Sequence, residues 1–212
     1  MKRRRFLSFV GIAVSGCALP NTRDPLYRSY VTEIPDKHGI VFGSLGYIGH
    51  SVYAPVRLLY RAKGFEMSRA FYIPGSLPQF HFAEGDTRGT LFFAQLAPTE
   101  YEIFNFELVH DMGPLGRNIL RSKTEFSVPF SATEGRATYL GQILVVSEFG
   151  KNALGMRVPA GGYFVVSDQT ERDVRLLQSQ FKEVDISKVD RAVIDPARAG
   201  FPFFLRRLGE QA

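Results

Sequence analysis

Few side chains in this sequence are equipped for chemistry. The histidines are His38, His50, His81 and His110, and the one cysteine is Cys17. No histidine is spaced from another histidine, a cysteine or a carboxylate in a recognised zinc pattern. The nearest approach to a site is His81, with Glu84 and Asp86 a few residues on in a Gly/Pro-rich stretch. A carboxylate beside a histidine orients the ring or shares a metal with it, so the chemistry on offer around His81 is hydrolysis. His110 and Asp111 are adjacent, but neighbouring residues in a strand point to opposite faces. Phe42-Gly43-Ser44-Leu45-Gly46 is not a G-x-S-x-G nucleophile elbow, because glycine directly precedes the serine and none lies two residues before it. No glycine-rich loop leads into Lys-Ser/Thr to cradle phosphates. Hydrolytic or transfer chemistry needs a nucleophile, a base and a charge stabiliser within mutual reach. The sequence therefore assigns no catalytic, cofactor-binding or metal-ligating residue, and the expectation is a protein that is not an enzyme.

The setting of Cys17 points elsewhere. Lys2, Arg3, Arg4 and Arg5 precede a short apolar run over residues 6–14, and Ser15-Gly16-Cys17 follows. Charge, then apolar residues, then small residues is the order of an export signal. The run is well short of the ~18–20 residues of a bilayer-spanning helix. Its ending resembles the lipobox of bacterial lipoproteins, in which small residues precede an invariant cysteine that is lipidated and becomes the mature N-terminus. That resemblance implies a lipid on Cys17, with Ser15 and Gly16 as the small residues before it, and anchoring in a membrane of the cell envelope. Ala18 stands where an aspartate often means inner-membrane retention in Gram-negative lipoproteins, which favours the outer membrane. The start is also similar to the twin-arginine export motif, with Arg3, Arg4, Phe6 and Leu7 in its positions and Lys2 and Ser8 departing from it. General secretion and twin-arginine export both stay open.

Removing the signal changes the charge. The whole chain has 26 basic and 21 acidic residues, net +5. Residues 1–16 hold four of the bases and no acid, which leaves 22 bases against 21 acids. Nucleic-acid binding, which needs a basic face, is not expected. With a single cysteine no internal disulfide can form, so stability must come from the core. Residues 18–37 carry three prolines and mixed charges, and read as a tether on which Tyr27, Tyr30 and Val31 touch the domain. Fully extended, that tether spans at most roughly 60–70 Å. The expected organisation is a signal peptide over 1–16, a lipidated N-terminus and tether over 17–37, and one domain over 38–210.

The domain must be built mostly of strands. Over residues 51–61, Val52, Ala54, Val56, Leu58 and Tyr60 alternate with Ser51, Arg57 and Arg61; over 125–132, Phe126, Val128, Phe130 and Ala132 alternate with Glu125, Ser127, Pro129 and Ser131. A period of two marks a half-buried strand, and Pro55 and Pro129 push these two toward edges or bulges. Further strands are expected over 39–48, 68–73, 90–97, 101–110, 136–147 and 162–167, with turn residues between them. One helix is expected near 169–184. Asp168 and Glu171 have the spacing of a capping box, Val174, Leu177, Phe181 and Val184 form an apolar stripe, and Glu171 and Arg175 form an exposed pair. The fold class is thus all-β, an antiparallel β-sandwich of about seven to nine strands with one C-terminal helix packed on it. With no tryptophan and 19 phenylalanines, an antibody-type core is disfavoured, and Phe80-His81-Phe82 and Phe201-Pro202-Phe203-Phe204 read as packing.

Three segments carry a family resemblance. His38-Gly39-Ile40-Val41-Phe42-Gly43-Ser44-Leu45-Gly46 looks like an opening G-x-V-x-G strand. Leu96-Ala97-Pro98-Thr99-Glu100-Tyr101-Glu102-Ile103 resembles the L-P-P-G-x-Y-x-I turn and strand of transthyretin-like and carboxypeptidase regulatory-like modules. Gly135-Arg136-Ala137-Thr138-Tyr139-Leu140-Gly141 resembles a G-E-V-x-Y-L-G strand seen with that turn in bacterial lipoproteins. The resemblance implies a prealbumin-like sandwich that is usually non-catalytic. Ala97 and Thr99 depart from the family's proline and glycine, and Pro98-Thr99 favours a type I turn over type II.

The function expected first is a membrane-tethered envelope lipoprotein acting as a non-catalytic binding or scaffold module. It would meet the membrane through its N-terminal lipid and a protein or glycan partner through its domain. A carbohydrate- or peptidoglycan-binding module using exposed Tyr53, Tyr72 or Tyr163 is the alternative, and an envelope hydrolase around His81, Glu84 and Asp86 the third.

Overall fold

The computed structural model describes residues 37–51, 53–73, 80–180, 186, 188–198 and 205–207. Arg3, Arg4, Phe6, Leu7, Ser15, Gly16, Cys17, Tyr27, Tyr30, Val31, Phe181, Val184 and residues 201–204 lie outside them.

Eight of the strands fall on the segments expected from the sequence. They are β1 (Gly39–Ile48), β2 (Val56–Ala62), β3 (Ser68–Ile73), β5 (Thr87–Leu96), β6 (Glu100–Asp111), β8 (Val128–Ser131), β9 (Ala137–Lys151) and β10 (Arg157–Ser167). Four more bring the described total to twelve, above the seven to nine expected: β4 (Phe82–Glu84), β7 (Arg117–Leu120), β11 (Val189–Arg191) and β12 (Leu205–Arg207). Each has only three or four residues. The described helix is α1 (Thr170–Gln180). No described helix is long and apolar enough to cross a membrane.

The strands form two sheets. One runs β12-β10-β9-β1-β5-β4, with β11 also on β9; the other runs β3-β2-β6-β7, with β8 also on β6. The first sheet is mixed rather than antiparallel as expected, because β1–β9, β9–β11 and β10–β12 are parallel pairs. The physical reason lies in the connections. β5 pairs antiparallel with one side of β1, the chain then builds β6 to β8 in the other sheet, and it returns as β9 on the open side of β1. A long return, unlike a tight hairpin, does not force antiparallel pairing. Pro55 lies just before β2, which is internal between β3 and β6, whereas Pro129 lies in β8, paired with β6.

Buried side chains collect on both faces of the first sheet. On one face Val41, Leu45, Phe92 and Leu140 join Leu58, Tyr60, Phe71 and Phe106 of the second sheet. Phe71 stacks at 4.3 Å on both Tyr60 and Phe92, so aromatic contact runs from one sheet into the other. On the opposite face Ile40, Phe42, Leu91, Ala137 and Tyr139 pack with Leu177 of α1 and with Ile186. β1 is therefore buried on both sides, which explains its near-continuous apolar run.

A β-bulge sets up the helix-facing surface. Phe42 pairs with Tyr139 but Ser44 with Gln142, so β9 spends one extra residue there. Gly141 has φ +107° and Gly43 is so close to its carbonyl that a Cβ would come within 2.6 Å. Glycine at both positions permits this approach. The bulge resets the alternation, so that Tyr139 and Gln142 both face α1.

Candidate functional site

The residues expected around His81 do not converge. β4 pairs with β5 so that Phe82 opposes Gly89. Phe82 and Glu84 point toward α1, where both meet Arg172. His81 points to the other face, and Nδ1 accepts from the Leu91 backbone N–H at 2.9 Å and lies 2.8 Å from the Thr90 hydroxyl. Pleating thus separates His81 from Glu84 by the thickness of the sheet. Asp86 is exposed in the turn and its backbone oxygen accepts from Gly49 N–H. Among the described residues no group of three His, Cys, Asp or Glu side chains is arranged to hold a metal ion.

The backbone amide can only donate, so His81 Nδ1 is unprotonated and Nε2 carries the proton. Burial lowers the His81 pKa from its ordinary 6.5. The unfolded chain therefore takes up a proton as pH falls through about 6.5 while the folded protein still excludes it. His81 contributes full stability above that pH, and the contribution declines below it until the folded imidazole protonates. His81→Asn keeps an acceptor toward Leu91 without a titrating ring. Thermal melts between about pH 7.5 and 5.5 should show a shallower loss of Tm for His81→Asn than for the wild type. Equal slopes would remove His81 from the acid sensitivity.

The other anticipated groups are also dispersed. His110 lies edge-on to Tyr53 at 6.4 Å, while Asp111 accepts from Gly113 N–H and pairs with Arg117. Tyr53 is fully buried rather than exposed, its hydroxyl donating to the Gly161 carbonyl at 2.7 Å. Tyr72 and Tyr163 are half-buried and stand on different sheets. These three tyrosines do not make a shared aromatic platform. Around Tyr72, the outer face of the second sheet is laced by Arg57–Glu107–Arg121 and by Arg61 with Glu102 and Glu125. Burial alone would raise the Glu107 carboxyl, but the bonds from Arg57 and Arg121 outweigh it and hold its pKa below the usual value.

What the structure does assemble is a buried polar cluster between the first sheet and α1. Asp173 and Ser44 are both 0% exposed. Asp173 Oδ2 accepts from Ser44 Oγ at 2.6 Å and from the Tyr139 hydroxyl at 2.8 Å. Its Oδ1 accepts from Arg172 Nε at 2.9 Å and Nη2 at 2.7 Å. Arg172 also donates to Ser44 Oγ at 3.1 Å and to Glu84 at 3.3 Å, with its guanidinium 3.9 Å above the Phe82 ring. The Gln142 amide lies 2.9 Å from Ser167 Oγ and 2.9 Å from both terminal nitrogens of Arg172. With its nitrogen toward Ser167 and its oxygen toward Arg172, the amide donates to the serine hydroxyl and accepts from the guanidinium. The Tyr139 hydroxyl additionally accepts from Gln169 N–H at 3.2 Å, and its pKa is pushed up by burial and by the Asp173 charge.

Local sequence explains the geometry. Asp168 Oδ1 accepts from Thr170 N–H at 2.9 Å and so turns the chain from β10 into the helix. Glu171, the expected capping-box partner, is exposed. Asp173 falls in the first turn, where the helix dipole favours a negative charge. It also lies four residues before Leu177 on the buried stripe. An acid on an otherwise apolar stripe was the available signal for this cluster; its partners on β1 and β9 had none.

Chemically the cluster is closed. Both oxygens of Asp173 are engaged twice, and no part of Ser44 reaches solvent, so its hydroxyl cannot meet a substrate. The arrangement ties α1 to β1 and β9, and through Phe82 and Glu84 to the β4–β5 hairpin. A fully satisfied buried network rigidifies its elements and specifies one mutual position. Comparison with protein-family models, with curated proteins and with solved structures finds no match to this chain.

Proposed function

We propose that this protein is a lipid-anchored component of a bacterial cell envelope whose domain is a non-catalytic binding or scaffold module. The observation that carries this reading is the order Lys2-Arg3-Arg4-Arg5, apolar residues 6–14, Ser15-Gly16-Cys17, with Cys17 the sole cysteine. In this reading the two sheets pack as a β-sandwich related to transthyretin-like modules, α1 covers its outer face, and residues 17–37 tether it. The non-catalytic part is supported by what the candidate side chains already do. His81 is committed to the β5 backbone, and Ser44 and Asp173 to holding the helix. The partner is an envelope protein or glycan, and outer-membrane anchoring is favoured by Ala18.

Cys17→Ser tests the anchor. Expressed in a bacterial host with labelled palmitate, the wild-type chain should incorporate the lipid and the variant should lose it entirely. The variant should also keep residues 1–16, which mass spectrometry of the product reads directly. Unchanged labelling in Cys17→Ser would overturn the proposal.

A further inference from the structure

β9 and β10 outrun the rest of their sheet. The last residue of β9 paired with β1 is Val145, opposite Tyr47, whereas β9 continues to Lys151. The six residues beyond Val145, about 20 Å of strand, are paired with β10; Ser147 and Gly161 still meet Ser51 and Tyr53, and the part beyond them projects as a two-stranded arm. Two large apolar side chains stand at its tip, Leu154 at 81% exposure and Met156 at 54%.

The turn that presents them is organised. Asn152 N–H donates to the Met156 carbonyl at 3.0 Å, and Gly155 N–H to the Asn152 carbonyl at 2.9 Å. The Asn152 side-chain oxygen accepts from the N–H groups of Leu154 and Met156, each at 3.0 Å. Gly155 takes a φ of +76°, which suits glycine. The apolar pair is thus held out in water by hydrogen bonds at its base. Directly below the turn Lys151 and Arg157 face each other across the strands. Like charges in that position repel; the one acid of the arm, Glu148, lies opposite Gly161 nearer its base, and the turn itself carries none. Arg157 lies 3.8 Å above the Phe149 ring.

We propose that the β9–β10 tip inserts into the anionic lipid surface to which the chain is tethered, with Leu154 and Met156 among the acyl chains and Lys151 and Arg157 at the headgroups. Size and charge select this occupant. A five-residue turn falls far short of the ~800 Å² per partner that a stable protein interface buries. A bilayer asks only that the side chains enter and that nearby cations meet anionic headgroups. The inference rests on the tether reading for its strength, because two side chains bind weakly unless a linker raises their local concentration. The reach is sufficient. The tip lies about 50 Å from Lys37, taking about 33 Å for β1 and about 20 Å for β9 beyond Val145, and the tether extends to roughly 60–70 Å.

Leu154→Cys in the full-length chain tests it. Once Cys17 is lipidated, residue 154 holds the only free thiol. It is labelled with an environment-sensitive dye and the protein is mixed with vesicles of equal parts phosphatidylcholine and phosphatidylglycerol. If Cys17 is unmodified, Cys17→Ser is added and saturating vesicles are used. The emission should shift to the blue and be quenched by lipid-borne nitroxide, while a label at Glu134→Cys stays in water. Charge reversal of Lys151 and Arg157 should lower the inserted fraction at least tenfold. A label at 154 that stays in water while the protein floats with the vesicles overturns the tip and leaves the tether. Absence of palmitate labelling in the wild-type chain, with insertion retained, overturns the tether and leaves the tip. Failure to float at saturating vesicles overturns the tip. So does a concentration-dependent dimer that Leu154→Asp disperses without lipid contact, which would assign the tip to a second copy.

Discussion

Asp173→Ala should lower the unfolding free energy by about 3–5 kcal/mol, the range found when one partner of a buried ion pair is removed. The loss is large because Asp173 answers four donors at once. Its removal leaves the Arg172 guanidinium, only 11% exposed, without the carboxylate that accepts from two of its nitrogens, and leaves the hydroxyls of Ser44 and Tyr139 facing a cavity. Asp173→Asn preserves shape but not charge and should fall between wild type and alanine. The measurement is equilibrium denaturation followed by circular dichroism. If Asp173→Ala unfolds at the wild-type midpoint, the cluster does not hold α1 on the sheet. A second comparison isolates the network. Glu84→Ala removes the exposed partner of Arg172 and should change stability by less than about 1 kcal/mol, as surface pairs do.

Leu177→Asp should be at least as damaging, above about 4 kcal/mol. Leu177 is 0% exposed and packs with Phe42, Leu91 and Tyr139. The variant loses that burial and must either desolvate an unpaired carboxylate or release the helix and expose the apolar face of β1, β5 and β9. Leu177→Ala, which creates only a cavity, should cost about 2–5 kcal/mol, whereas Arg175→Ala on the exposed side of α1 should stay within about 0.5 kcal/mol. Wild-type stability in Leu177→Asp would mean that α1 does not dock through this face. A further measurement shows which route the variant takes. Binding of a hydrophobic dye by a still-folded Leu177→Asp protein reports helix release, and its absence in a destabilised protein reports a buried charge.

Strands were legible where apolar and polar side chains alternate, because alternation is a local property of the chain. β2 and β8 fall on runs whose apolar residues recur with the pleat, whereas β1, buried on both faces, shows a near-continuous apolar run. The helix was legible for the same reason, since Val174 and Leu177 recur at helical spacing behind Asp168. The polar cluster was not, because its members are separated by up to 129 positions, as Ser44 and Asp173 are, and nothing local to Ser44, Tyr139 or Gln142 marks them as partners. Even the face they share depends on one bulge at Gly141. The His81 region misled for a related reason. Closeness along the chain places His81 and Glu84 together, but three residues along a strand put them on opposite faces.

By itself the sequence determined that the domain is mostly β with one amphipathic helix, because hydrophobic periodicity and capping act over neighbouring residues. It determined equally that the sole cysteine follows a basic and apolar start, which is a matter of order alone. Only the tertiary structure decided which strands pair, that β9 lies parallel to β1, and that Arg172 and Asp173 close a network with Ser44, Tyr139 and Gln142. Only it decided, too, that Tyr53 is buried while Leu154 and Met156 stand in water at the end of an arm. These depend on long-range pairing and on where strands end relative to their neighbours, and burial is a property of the assembled sheets that no residue carries alone.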